Sequence, residues 1–423
     1  MLTRVDALST VLADRLETTR ERTLSLYAPL PHEHLVTQVS TLLSPPLWDL
    51  GHIGAYEELW VARRIAGRAP LHPELDDVYD AFETPRTRRG DVEILDPPAT
   101  HDYLRTVREA SLEALRGCEL DATTDPLLED GFVFEMVVEH EAQHTETVLQ
   151  ALQMLPAGAY RPSSRRPLPP SSPDAPGAEW CEIPAGRFDM GAAEGFAYDC
   201  ERPRHPRELP AFRIARDPVT AGEWIDFIAD AGYERRELWT DAGWAWRVAE
   251  GAQAPLYWER DGEGGWLARS FADVAPVDPR LPVCHVCAHE ADSFARWAGC
   301  RLPTEAEWER AALGATVSVE AANIDQLGFG PAPRGAYPPI ASGCRQMVGD
   351  VWEWTSTPFG GYPGFRAFPY REYAEVFFGG GYRVLRGGSW ATQPLAARAT
   401  FRNWDLPERR QIFSGLRLAR DAA

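Results

Sequence analysis

The chain has 423 residues and a formal net charge of −20. That charge excludes a nucleic-acid or anionic-membrane binder, because phosphate recognition needs clustered Lys and Arg. A 44% hydrophobic content supports packed cores in two or three domains, and no apolar run reaches the ~20 residues that cross a bilayer. The seven Cys lack the spacing of a disulfide framework, and no signal-peptide pattern opens the chain, so a soluble cytoplasmic protein with reduced thiols is expected.

Residues 1–154 read as helical. Apolar residues recur at helical spacing from Val5 to Leu26. The Pro45-Pro46 pair breaks the chain, and Leu47–Ile65 follows with Leu47, Leu50, Ile53 and Leu59 on one face. Residues 100–117 and 131–153 give two more helices. Four antiparallel helices make a bundle, where metal ligands commonly project inward. Residues 155–177 are rich in Pro and Ser and read as a linker. From 178 to 423 Gly, Trp, Pro and Arg rise. Helices are expected only near 219–231 and 288–297, with short strands such as 382–385. This half reads as an irregular α+β domain held by aromatic packing; the whole chain is therefore α+β with two domains.

The fourth helix carries Glu139-His140-Glu141-Ala142-Gln143-His144. Residues four apart share a helical face, so His140 and His144 can point at one ion. His52, on the second helix, is the candidate third ligand. Three imidazoles suit zinc, iron, copper or nickel, so the ligand type leaves the metal open. His140, Glu141 and His144 also satisfy the His-Glu-x-x-His pattern of zinc hydrolases, with Glu141 as general base, although no third ligand follows soon downstream. The other seven His show no such pairing and are expected at the surface. Cys284-His285-Val286-Cys287 has half the spacing of a zinc site, without a second Cys pair, and reads as structural.

Ser44-Pro45-Pro46-Leu47-Trp48-Asp49-Leu50-Gly51-His52-Ile53-Gly54 and His140-Glu141-Ala142-Gln143-His144-Thr145-Glu146-Thr147 resemble the DinB-like bundle of the sulfoxide synthases of ergothioneine biosynthesis. Arg301-Leu302-Pro303-Thr304-Glu305-Ala306-Glu307-Trp308-Glu309, Gly349-Asp350-Val351-Trp352-Glu353-Trp354-Thr355 and Arg383-Val384-Leu385-Arg386-Gly387-Gly388-Ser389-Trp390 resemble their formylglycine-generating-enzyme-like domain, a C-type-lectin-like fold. Formylglycine-generating enzymes themselves hold copper with a Cys pair shortly after the Arg-Gly-Gly-Ser segment; no Cys follows Cys344 here.

The resemblance implies Fe(II) bound by His52, His140 and His144. It implies O₂-dependent joining of hercynine, the trimethylated betaine of histidine, to a thiol such as γ-glutamylcysteine or cysteine, giving a sulfoxide. Tyr370 matches the family's catalytic tyrosine, a proton donor. Gln143 matches the glutamine at the hercynine imidazole. Asn403 and Trp404 match the residues around the betaine, and a Trp face suits a quaternary ammonium. Arg86 and Arg89 match the arginines that take the thiol substrate's carboxylates, and Asp405 the acid facing its amino group. The sequence departs from the family at Gly51, usually Ala, at Ala55-Tyr56, usually two Gln, and at Thr84-Pro85, usually His-Ser. These changes leave room for a related branch that joins hercynine to a selenosugar and makes selenoneine. A binding module with structural His residues is the non-catalytic alternative.

Overall fold

A computed structural model describes residues 4–120, 124–163, 165–171 and 180–422, with the side chains of 4–6 left out. The chain divides into two compact units, Met1–Ser163 and Ser164–Ala423. The division falls inside the Pro/Ser-rich segment. Its first residues belong to the first unit, where Leu155 and Tyr160 are buried, while its residues 172–177 lie outside those described.

The first unit is built on four long helices. They are α1 (Arg4–Tyr27), α3 (Pro46–Glu57), α5 (Pro97–Gly117) and α6 (Phe132–Met154), with short α2 (His32–Val36) and α4 (Asp76–Tyr79) in the connections. α1 packs on α5 and α6, and α3 packs on the same two. Their shared core includes Leu12, Leu16, Leu50, Ile53, Leu104, Val107, Phe134, Val138 and Leu149. Local chemistry sets the starts. Pro46 opens α3 at a position where no N–H is needed, and the Asp96 carboxylate caps α5 by accepting from the Ala99 N–H at 2.8 Å.

One periodic expectation fails, with a clear cause. Leu59 is half exposed instead of continuing the face of Leu50 and Ile53. The helix changes to a π-turn over Glu58–Arg63, and the wider turn shifts the phase of the following residues. Glu58 is turned inward instead. Its carboxylate accepts from the Tyr103 hydroxyl (2.7 Å), Arg63 (2.9 Å) and the Leu71 N–H (2.7 Å).

The second unit is α+β. Its strands are β1 (Trp180–Ile183), β2 (Gly186–Met190), β3 (His205–Leu209), β4 (Phe212–Ala215), β5 (Trp258–Arg260), β6 (Trp266–Ser270), β7 (Asp273–Pro276), β8 (Trp352–Pro358), β9 (Arg383–Arg386), β10 (Asn403–Asp405), β11 (Ser414–Leu416) and β12 (Ala419–Asp421). The helices are α7 (Ala221–Ala229), α8 (Asp241–Glu250), α9 (Ala288–Trp297) and α10 (Glu305–Ala311). The central sheet runs β10-β9-β8-β11, antiparallel except for the β8/β11 pair. Trp224, Trp308 and Trp354 are fully buried, as the Trp content predicts. α8 and α10 are additions to the expected helices. The Thr304–Glu307 capping box that starts α10 was readable as a helix signal.

Buried ion pairs tie this unit together. Arg417 donates to Glu353, Arg402 to Glu305 and Arg386 to Glu309. Burial lowers two of the histidines expected at the surface: His285 is pushed down to about 4, and His289 is lowered as well. Cys287 beside it is fully buried, a structural placement.

Candidate metal and substrate site

The bundle brings His52 from α3 together with His140 and His144 from α6. One nitrogen from each ring lies within 4.8 Å of the others. The ring centroids are 5.1, 4.7 and 4.5 Å apart for the pairs His52–His140, His52–His144 and His140–His144. Burial, and then the neighbouring His144, push His52 down to about 3; burial likewise pushes His140 well down. Both imidazoles are therefore neutral at pH 7 and have a lone pair to offer, which is the state that binds a metal. The donor set fits a transition metal ion with three protein ligands.

Supporting groups aim two of the rings. His52 Nδ1 lies 2.7 Å from the Tyr79 carbonyl, and its ring lies parallel to Trp48 at 5.1 Å. His144 Nδ1 faces Asp49 Oδ1 at 3.6 Å. Burial opposes ionisation of Asp49, but the neighbouring His144 and the charge of Arg89 hold the carboxyl below its usual range. A carboxylate or carbonyl behind a ligating histidine fixes the ring and its tautomer. Asp49 was legible in principle, since it precedes His52 by three residues on one helical face. Gly51 makes room for this arrangement: a Cβ there would lie 2.1 Å from the Tyr79 ring.

The helices that carry the histidines also hold a buried charge network absent from the sequence reading. Arg20 and Arg108 bridge Glu57 and Glu141 with contacts of 2.8–3.1 Å. Glu57 is driven down to about 2: burial opposes this, and the charges of Arg108 and Arg20 outweigh it. The same network corrects the hydrolase alternative. A general base must present a carboxylate oxygen to a water beside the metal. Both oxygens of Glu141 accept from guanidinium groups, and its side chain is 1% exposed. The His-Glu-x-x-His spacing is present without the base that zinc hydrolysis requires.

The remaining predicted residues are placed as follows. Gln143 is partly exposed on α6 and donates to the Glu139 carbonyl at 3.2 Å. Arg86 is exposed. Arg89 is buried, lies over the Trp48 ring at 3.7 Å and donates to Thr84 O, Ser44 Oγ and Ala81 O at 2.9–3.1 Å. It ties the loop after α4 to Ser44, just ahead of α3. In the second unit Asn403, Trp404 and Asp405 are consecutive on β10, paired with β9. Trp404 stacks on Phe359 (4.1 Å, 8° between planes) and meets the edge of Tyr373 at 5.6 Å. Tyr373 in turn stacks on Tyr198 at 3.9 Å and lies 6.4 Å from Tyr370. Tyr370 thus belongs to one aromatic cluster with Trp404. Asp405 Oδ1 accepts from the Leu406 N–H and lies 3.4 Å from Arg409.

Comparison with known proteins places this architecture in a class. Residues 15–148 match the DinB superfamily and residues 165–422 match the sulfatase-modifying factor enzyme 1-like domain. The chain is 45% identical to the hercynine oxygenase of Mycolicibacterium thermoresistibile, across 97% of this chain and 94% of that one. It is 43% identical to the hercynine oxygenase of Mycobacterium tuberculosis, across 97% and 98%. The formylglycine-generating enzyme of Mycobacterium tuberculosis is 32% identical but matches only 45% of this chain, and 77% of its own. The chain belongs to the hercynine oxygenase family.

Among the described residues, no helix is long and apolar enough to cross a membrane.

Proposed function

We propose that the chain is an iron(II)- and O₂-dependent hercynine oxygenase that forms a carbon–sulfur bond at the hercynine imidazole C2 and oxidises the sulfur to a sulfoxide. The observation that carries this reading is the convergence of His52, His140 and His144 in a chain that matches named hercynine oxygenases over nearly its whole length. The reaction balances as hercynine C–H plus thiol S–H plus O₂ giving the sulfoxide and one water. Ferrous iron in the three-histidine site would supply O₂ activation and a soft position for the thiolate.

The chain's own groups have distinct tasks in this proposal. His52, His140 and His144 hold the metal as neutral imidazoles. Gln143, one residue from His144, contacts the hercynine ring. Trp404 and Asn403 receive the betaine; a quaternary ammonium has no N–H to donate, so an indole face is its fitting partner. Tyr370 is the proton-bearing phenol. Arg86, Arg89 and Asp405 take the carboxylates and amino group of an amino-acid thiol.

The burial of Arg89 favours keeping a second donor. With three of its N–H groups given to Thr84, Ser44 and Ala81, the segment has less guanidinium to offer a dicarboxylate, and a selenosugar needs none. The deciding experiment loads the protein with Fe(II) without oxygen. It then adds O₂ and hercynine with γ-glutamylcysteine, cysteine or a selenosugar, and reads products by mass spectrometry. A sulfoxide adduct is expected. A selenium adduct alone would move the protein to the selenoneine branch, and no hercynine consumption with iron bound would overturn the proposal.

A further inference from the structure

The three imidazoles are not aimed by the same means. His52 Nδ1 lies at hydrogen-bond distance from the Tyr79 carbonyl, and His144 Nδ1 faces the Asp49 carboxylate at 3.6 Å, an electrostatic contact without a hydrogen bond. His140 Nδ1 is buried and has no hydrogen-bond partner among the described residues. What lies against this ring is Tyr56, with centroids 3.7 Å apart and planes within 11°. Tyr56 follows His52 by four residues on α3, so one helical face delivers a ligand and, a turn later, the plate that covers another helix's ligand. It is only partly buried, so the stack is not a demand of the bundle core.

An imidazole without a hydrogen bond can turn about its Cβ–Cγ bond, a broad torsion. A parallel ring at contact distance removes that freedom, because rotation would drive the imidazole edge into the tyrosine face. We infer that Tyr56 is a positioning residue of the metal centre. It holds the plane of His140 by ring stacking, the task that a carbonyl and a carboxylate perform for the other two. The ring plane does this, and the hydroxyl is not required. The inference rests on the reading of the three histidines as metal ligands.

The test is a Co(II) titration of the metal-free full chain, followed by its visible absorption bands, for wild type, Tyr56→Leu and Tyr56→Phe. Thermal unfolding of each metal-free protein checks the fold. Tyr56→Leu is expected to melt like wild type, bind Co(II) roughly tenfold or more weakly, as lost supporting groups do, and shift the bands. Tyr56→Phe is expected to match wild type in affinity and spectrum. Should the Leu variant fail to fold, Tyr56→Met, unbranched and also without a ring, carries the comparison. Unchanged affinity and bands in the ringless variant would overturn the inference, as would a Phe variant as weak as the ringless one. Wild type that binds no Co(II) would remove the ligand reading itself, a distinct failure.

Discussion

The two units hold their candidate functional groups by different physics. In the bundle, the histidines sit on two long helices; His144 faces Asp49, and the same helices carry Glu57 and Glu141 into a network with Arg20 and Arg108 that is nearly sealed from solvent. In the second unit, Tyr370 and Trp404 lie in an aromatic cluster with Tyr198, Phe359 and Tyr373, joined by ring contacts. A metal site needs fixed directions, which helices locked by buried ion pairs and a carbonyl behind a ligand ring supply. A betaine site needs apolar, π-bearing surface, which stacked rings supply without competing donors.

The contrast is broken most completely at the ligands. His140→Ala should lower metal affinity by more than the roughly 10–100-fold that loss of a supporting group costs, with the helices intact by circular dichroism; full occupancy by metal analysis would refute the ligand role. Next comes the charge network. Arg108→Ala leaves Glu57 and Glu141 short of a buried partner and should destabilise the protein by about 3–5 kcal/mol in chemical denaturation. A loss under 1 kcal/mol would mean that water replaces the guanidinium.

Gly51→Ala should cost about 1–3 kcal/mol, since the new Cβ meets the buried Tyr79 ring and that ring must move. A weakened metal affinity in this variant would tie Tyr79 to the aim of His52; a neutral result would show that α4 yields easily. Trp404→Ala should weaken hercynine binding by about 1–2 kcal/mol by calorimetry, and unchanged affinity would leave Trp404 as packing alone.

The comparison also has a pH signature of opposite sign. Glu57 is held at about 2, below its free value, so its stabilisation is present above pH ~4.5 and is lost as the pH falls toward 2. Asp350, in the second unit, is raised to about 6, chiefly by burial. Its contribution favours folding below pH ~4 and is lost as the pH rises through 6, with a slope of at most about 1.4 kcal/mol per unit. Asp350→Asn should remove that slope from denaturation midpoints measured between pH 4 and 7, and Glu57→Gln should flatten the acid limb.

Much of this was legible in the residues. Helical spacing located all four bundle helices, and the four-residue interval put His140 and His144 on one face, because side-chain period follows directly from backbone geometry. The Trp content announced an aromatic core in the second unit. Other features needed the fold. That His52 meets the pair depends on α3 packing against α6. That Glu141 is a network carboxylate depends on Arg20 and Arg108 arriving from α1 and α5, so a motif that reads as a hydrolase became something else. The inward turn of Glu58 came from a π-turn that no simple period encodes. The stack of Tyr56 on His140 joins residues 84 positions apart in sequence. Local sequence fixes which face a side chain occupies; only tertiary packing decides what faces it, because those partners come from segments remote in the chain.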